Sequence, residues 1–140
     1  MRNGKQGLVS EIMMGSPVTL KPGDTLDLAN DVISLGRIRH IPIVEDGRVV
    51  GVISDHDLMG AAAAHAFALT HKSQSALLKT IAIRNIMKKR VVTVRPDAPI
   101  KEAAHLLKEK KIGCLPVVSA GALVGLVTVT DVLRYLDDLL

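Results

Sequence analysis

The sequence predicts an α/β (α+β) fold made of two tandem β-α-β-β-α repeats packed with pseudo-twofold symmetry. Three observations lead there. The 140-residue chain matches itself without gaps at an offset of 74 residues. Each copy carries an apolar-Pro-apolar-apolar run, a glycine turn and a second β-rich run. Helix-period apolar residues flank these segments.

At the offset of 74, Pro22 falls on Pro96, Ala29 on Ala103, Ile38 on Ile112, Pro42 on Pro116, Gly47 on Gly121, Gly51 on Gly125 and Asp57 on Asp131. Ile12-Met13 falls on Ile86-Met87 and Val18-Thr19 on Val92-Thr93. Where residues differ they usually keep their character, as in Lys21 with Arg95, Leu26 with Ile100 and Ser54 with Thr128.

Each copy then reads in order. Val18-Thr19-Leu20 and Val92-Thr93-Val94 are short apolar segments cut off by Lys-Pro and Arg-Pro, and predict a short strand and a turn. Asp24 and Asp97 are candidate caps for the helices that follow. Leu26, Ala29, Val32 and Ile33, and likewise Ile100, Ala103, Ala104 and Leu107, recur at helical spacing, so each helix buries one face. Gly36 and Gly113 stand near the helix ends as stop signals.

Ile41-Pro42-Ile43-Val44 and Leu115-Pro116-Val117-Val118 lead into Glu45-Asp46-Gly47 and Ser119-Ala120-Gly121, followed by Val49 to Ile53 and Leu123 to Val127. That is a hairpin in each copy, with Asp-Gly the stronger turn signal. Each proline lacks an N–H, so it belongs at a strand start or a sheet edge. A second helix starts near Ser54 and near Thr128.

The whole chain, residues 1–140, reads as one module, with repeat 1 over about 8–68, repeat 2 over about 80–136 and a helical connector over about 60–85. A bare loop of that length is implausible, and Gly60-Ala-Ala-Ala-Ala-His-Ala-Phe-Ala-Leu is rich in helix formers. The polar stretch Thr70 to Ser75 is the expected break, and Ala76 to Met87 is expected to lead into the second copy as Leu8 to Met13 leads into the first.

Composition narrows the function. Cys114 is the only cysteine, so neither an internal disulfide nor a cysteine-rich zinc cluster can form, which suits a reducing cytoplasm. No stretch approaches the roughly 20 apolar residues of a membrane span, and the N-terminus lacks an apolar signal core. The expectation is a soluble, cytoplasmic protein. A net charge of +4 favours anionic partners. One Phe, one Tyr and no Trp leave nucleic-acid bases almost nothing to stack on, so nucleic acid is an unfavoured partner. Basic residues cluster at Lys88, Lys89 and Arg90 and at Lys108, Lys110 and Lys111, the latter group at a predicted helix end where it opposes the dipole.

Ser54-x-x-Asp57 and Thr128-x-x-Asp131 match a helix-capping pattern, in which the hydroxyl accepts from a helical N–H and the acid favours the first turn. Asp55-His56-Asp57 could pass for a metal or acid-base cluster. The matching Val129-Thr130-Asp131 keeps only the Asp, however, and no HExxH motif is present, so neither catalysis nor a metal is expected. Cys114 sits in an apolar run and reads as buried and inert.

The segments RHIPIVEDGRVVGVISDHDL and IGCLPVVSAGALVGLVTVTDVL, repeated in register, resemble a pair of cystathionine β-synthase (CBS) domains, the tandem called a Bateman module. The resemblance covers about residues 8 to 136. It implies a regulatory module that binds adenosine ligands, AMP, ADP or ATP, in clefts between the repeats, with no catalytic cofactor. Carried over by position, Asp57 and Asp131 hold the ribose, and Ser54 and Thr128 help bind phosphate. Val18, Thr19, His40, Ile41, Pro42, Val92, Thr93, Cys114, Leu115 and Pro116 line the adenine slots.

Elementary chemistry agrees with these roles. A carboxylate accepts two hydrogen bonds and suits the ribose cis-diol. A hydroxyl at a helix start lies beside free N–H groups, where phosphate binds. His56 adds a cation when protonated, and Thr130 holds the matching place, so the two clefts need not prefer the same ligand.

S-adenosylmethionine or NAD in the same clefts is one alternative. A structural oligomerisation module without ligand and a basic nucleic-acid-binding protein are two others. The chain is expected to pair as a homodimer, with Tyr135, Leu136, Leu139 and Leu140 among the candidate surfaces, and to act on a separate effector protein.

Overall fold

The computed structural model describes residues 7–65 and 76–140; the expected break at Thr70 to Ser75 lies outside the described residues. These residues form two compact units. One is Val18–Val91, and the other joins the described residues up to Pro17 to Val92–Leu140.

In the first unit, α2 (Leu26–Gly36) buries Leu26 and Ala29, while β2 (His40–Glu45) and β3 (Arg48–Ser54) form an antiparallel hairpin that runs directly into α3 (Asp55–His65). Asp46 and Gly47 both take positive φ, 52° and 78°. That is the turn whose twist matches a two-residue hairpin. Leu26, Ala29, Ile41, Ile43, Ile53, Leu58, Ala61, Leu78 and Ile83 form the core.

The second unit repeats this plan with α4 (Ile100–Lys110), β4 (Cys114–Ser119), β5 (Ala122–Thr128) and α5 (Val129–Leu139). Its turn places Ala120 at φ 51° and Gly121 at φ 83°. α1 (Val9–Ile12) and β1 (Met14–Gly15) complete it, giving a three-stranded sheet in the order β1-β5-β4. The core here is Val9, Val94, Ala98, Ala103, Leu107, Leu115, Val117, Val127 and Val132.

The stretch that precedes each repeat in the sequence therefore completes the hairpin layer of the other repeat. Met14 pairs with Leu126 in β5, whereas Lys88, 74 positions later, bridges to Val52 in β3. Val9 and the matching Ile83, which opens a 3-10 turn over Ile83–Asn85, are both fully buried.

Both hairpins carry a bulge, with the register shifting between Ile43 and Val44 and between Val117 and Val118. Next to each bulged residue, Val50 or Val124, and on the same strand lies a glycine, Gly51 or Gly125, packed under a methionine, Met87 or Met13. Pro42 and Pro116 sit inside β2 and β4. Their carbonyls accept from Leu20 N–H at 3.3 Å and Val94 N–H at 3.1 Å, so each proline's missing donor falls on the outer side of the hairpin.

Three local expectations are corrected. The predicted strands at Val18-Thr19-Leu20 and Val92-Thr93-Val94 shrink to single parallel bridges, Leu20 with Ile43 and Val94 with Val117, and the turns that open at Pro22 and Pro96 two residues on carry the chain away.

Asp24 and Asp97 do not cap the helices. Asp24 accepts from Lys21 N–H at 2.7 Å within its own turn, Asp97 pairs with Arg95, and the N-cap positions are Thr25 and Pro99.

Gly36 and Gly113 are not the left-handed terminators either. Arg37 (φ 52°) and Lys111 (φ 54°) take that conformation, and Ile38 and Ile112 N–H donate to Ile33 and Leu107 carbonyls at 3.3 Å. A cation there faces the negative end of the helix, which offsets part of the roughly 1–2 kcal/mol cost of the left-handed backbone.

Candidate functional site

The site is built from the helix starts. Ser54 ends β3 and caps α3: its Oγ accepts from Asp57 N–H at 3.1 Å, and Asp57 Oδ2 accepts from Ser54 N–H at 2.9 Å. Thr128 and Asp131 repeat the exchange at 3.2 and 2.8 Å, and Thr128 Oγ1 also donates to Asp131 Oδ2 at 3.0 Å.

The capping reading of Ser/Thr-x-x-Asp is thus realised in both copies, and it uses one carboxylate oxygen of each Asp. Among the described residues the other oxygen, Oδ1, meets a cation: Lys88 Nζ at 3.9 Å from Asp57 and Arg134 Nη1 at 3.4 Å from Asp131. A carboxylate has about four lone-pair positions, so each Asp is fixed in orientation by the cap and keeps acceptor capacity for a ligand diol. The cap and the ligand roles are compatible.

Hairpin register brings further predicted residues to these acids. His40 pairs with Ser54 and Cys114 with Thr128 across each hairpin. Leu20 and Val94 lie against β2 and β4 in parallel, so Val18-Thr19 leads up to the bridge at Ile43 and Val92-Thr93 to the bridge at Val117.

Exposure divides the set. Val18, Thr19 and Thr93 are exposed, and His40 and Val92 are half-buried. Ile41, Pro42, Cys114, Leu115 and Pro116 are buried. His56 and Thr130, in the first turns of α3 and α5, are exposed. Thr93 also borders an open depression of about 590 Å³ with Arg95, Val118 and the Ala120-Gly121 turn, at the far end of β4 from Cys114.

Two residues beside the acids were not singled out as site residues from the sequence. Arg134 stands one helical turn after Asp131, a spacing that marks neighbours on a helix. Lys88 had no such signal. It reaches Asp57 because its backbone exchanges hydrogen bonds with Val52 at 2.9 and 3.0 Å.

Burial of the His40 ring pushes its pKa below the ordinary 6.5; the Asp55 and Asp57 carboxylates oppose this, and Arg39 and Lys88 reinforce it. Below pH 6.5 the unfolded chain takes up a proton that folded His40 refuses, so stability is lost as pH drops through that window and levels off once the folded imidazole protonates. His40→Gln is expected to flatten this limb, read as urea midpoints between pH 7.5 and 5. Equal pH dependence in both proteins would refute the assignment.

Among the described residues no group of three or more His, Cys, Asp or Glu is placed to hold a metal ion, and no helix is long and apolar enough to cross a membrane.

Comparison with known proteins gives the family. The CBS domain model matches twice, over residues 9–64 and 83–138. A CBS domain-containing protein of Dictyostelium discoideum is 33% identical over 135 residues, which is 95% of this chain and 93% of that protein. A homoserine O-acetyltransferase of Methanohalobium evestigatum is 34% identical over 132 residues, but the match spans 93% of this chain and only 24% of that enzyme.

Among solved structures, the CBS domain pair of protein MJ0100, in complex with 5′-methylthioadenosine and S-adenosyl-L-methionine, is 26% identical with a TM-score of 0.82, covering 97% of this chain and all (100%) of that one. CBSX2 in complex with AMP is 28% identical with a TM-score of 0.76, covering 94% and 97%. With both repeats matched and the two hairpin-and-helix units in place, this chain belongs to the CBS domain family as a tandem pair.

Proposed function

We propose that the chain is a non-catalytic sensor of adenosine ligands, with AMP, ADP and ATP the favoured class. The observation that carries this reading is the duplicated carboxylate at Asp57 and Asp131. Each is held by a cap through one oxygen and left with acceptor capacity at the end of a hairpin whose other strand carries a proline. Asp57 and Asp131 accept from the ribose hydroxyls. Phosphate meets the helix starts at Ser54, His56, Thr128 and Thr130, and adenine lies along Val18-Thr19 with His40 to Pro42, or Val92-Thr93 with Cys114 to Pro116.

The AMP and S-adenosylmethionine complexes of the similar structures support the ligand class. Output requires that a ligand favour one conformation or assembly over another, here of a homodimer acting on a separate effector.

The test is thermal unfolding with AMP, ADP, ATP, S-adenosylmethionine and NADH. At 100 times its Kd a ligand adds about 2.7 kcal/mol, a shift of roughly several degrees at this size. Asp57→Asn and Asp131→Asn keep an acceptor for the cap and lose the charge and the bidentate geometry, so one or both should lose the shift while folding normally. Unaltered shifts in both variants, or none in the wild type, would overturn the reading.

A further inference from the structure

The two acids share a local plan but not their surroundings. Lys88 is held beside Asp57 by backbone hydrogen bonds to Val52, and its ammonium, 3.9 Å from Oδ1, is beyond direct hydrogen-bonding distance. The Lys88 side chain is 67% exposed and the Asp57 side chain only 12%, so the cation is the solvent-accessible member of the pair. Lys89 and Arg90 follow it, both exposed, and Arg39 precedes His40 at the start of β2. Against these stands Asp55, one of whose carboxylate oxygens accepts from His56 N–H at 2.8 Å.

At the matching positions of the other repeat the basic residues are gone. Lys88, Lys89 and Arg90 correspond to Met14, Gly15 and Ser16, Arg39 to Gly113, and His40 to Cys114. The cation at Asp131 is Arg134 of the same helix, three residues on.

We infer that Lys88, at the head of the run Lys88 to Arg90, sets ligand charge at Asp57, making this the site for an adenosine with an anionic 5′ substituent. The inference rests on the nucleotide-binding reading above and goes beyond it by naming the group that discriminates. A ribose diol approaching Asp57 Oδ1 releases Lys88 from the carboxylate. The ammonium then has a 5′-phosphate as its counter-ion, whereas a neutral 5′-thioether offers it none.

The experiment is titration calorimetry of AMP and of 5′-methylthioadenosine in an Asp131→Asn background, with and without Lys88→Met. Methionine is the residue at the matching position of the other repeat, and it leaves the backbone bridge to Val52 intact. The expected result is a loss of AMP affinity of about five- to tenfold, with 5′-methylthioadenosine changed less than about twofold and AMP restored by Lys88→Arg. A steeper salt dependence for AMP in the parent than in Lys88→Met is expected alongside. Equal weakening of both ligands, or unchanged AMP affinity, would overturn the role of Lys88 and leave the nucleotide reading standing. Absence of binding by either ligand in the wild-type protein and in the Asp131→Asn parent would overturn both.

Discussion

Ile83→Ala is expected to cost about 3 kcal/mol and to strip hydrogen-exchange protection from β2 and β3, the hairpin of the first repeat, although Ile83 lies at the head of the second. Ile83 is fully buried among Leu26, Ala29, Ile41, Ile43 and Ile53, and its N–H donates to the Asp24 carbonyl at 2.8 Å. Val9→Ala should do the reverse at about 2 kcal/mol, because Val9 is buried with Leu115, Val117 and Val127 and its N–H donates to the Ala98 carbonyl at 2.8 Å. Exchange resolved by residue separates the two outcomes. If each substitution loosened the hairpin of its own repeat, the crossed packing would be wrong.

The second large effect concerns the glycines beside the bulges. A Cβ on Gly51 would stand 2.5 Å from Met87 Sδ and 3.0 Å from the Lys88 carbonyl oxygen, and one on Gly125 would stand 3.0 Å from both Met13 Cγ and the Met14 carbonyl oxygen. The thioether can give way, but the carbonyls belong to the bridges that seat Lys88 on Val52 and Met14 on Leu126. Gly51→Ala and Gly125→Ala should therefore destabilise by about 1–3 kcal/mol each, where Gly→Ala at an unhindered position stabilises by about 0.4–1 kcal/mol. Gly15→Ala is the control, since a Cβ there meets nothing within 4 Å. Denaturant midpoints that moved alike for Gly15→Ala and Gly51→Ala would show that the close packing is not felt. Because Lys88 rides on the segment that Gly51 admits, Gly51→Ala should also weaken AMP more than 5′-methylthioadenosine.

Much of this was legible in the chain itself. The offset of 74 residues, the Asp46-Gly47 and Ala120-Gly121 turns, the apolar stripes of α2 and α4 and the Ser/Thr-x-x-Asp starts of α3 and α5 are all local signals. Each depends on residues within a few positions of one another, and both hairpins and all four of these helices form where those signals stand. The corrected details are the ones in which two local solutions compete at similar free energy. Asp24 can cap a helix or close its own turn, and a helix can end on Gly36 or on the cation after it.

What only the tertiary structure decided is which distant segment completes which core. Leu8 to Met13 and Ala82 to Met87 look interchangeable in the sequence because they carry the same apolar pattern, and neither has a local partner that selects a repeat. Their burial against the opposite repeat is a long-range choice made by packing. It is also what delivers Lys88 to Asp57 while leaving Met14 at the matching place beside β5. Two nearly identical acids thereby acquire different neighbours, since the charge around a site is set by every chain segment that packs there and not by the motif alone.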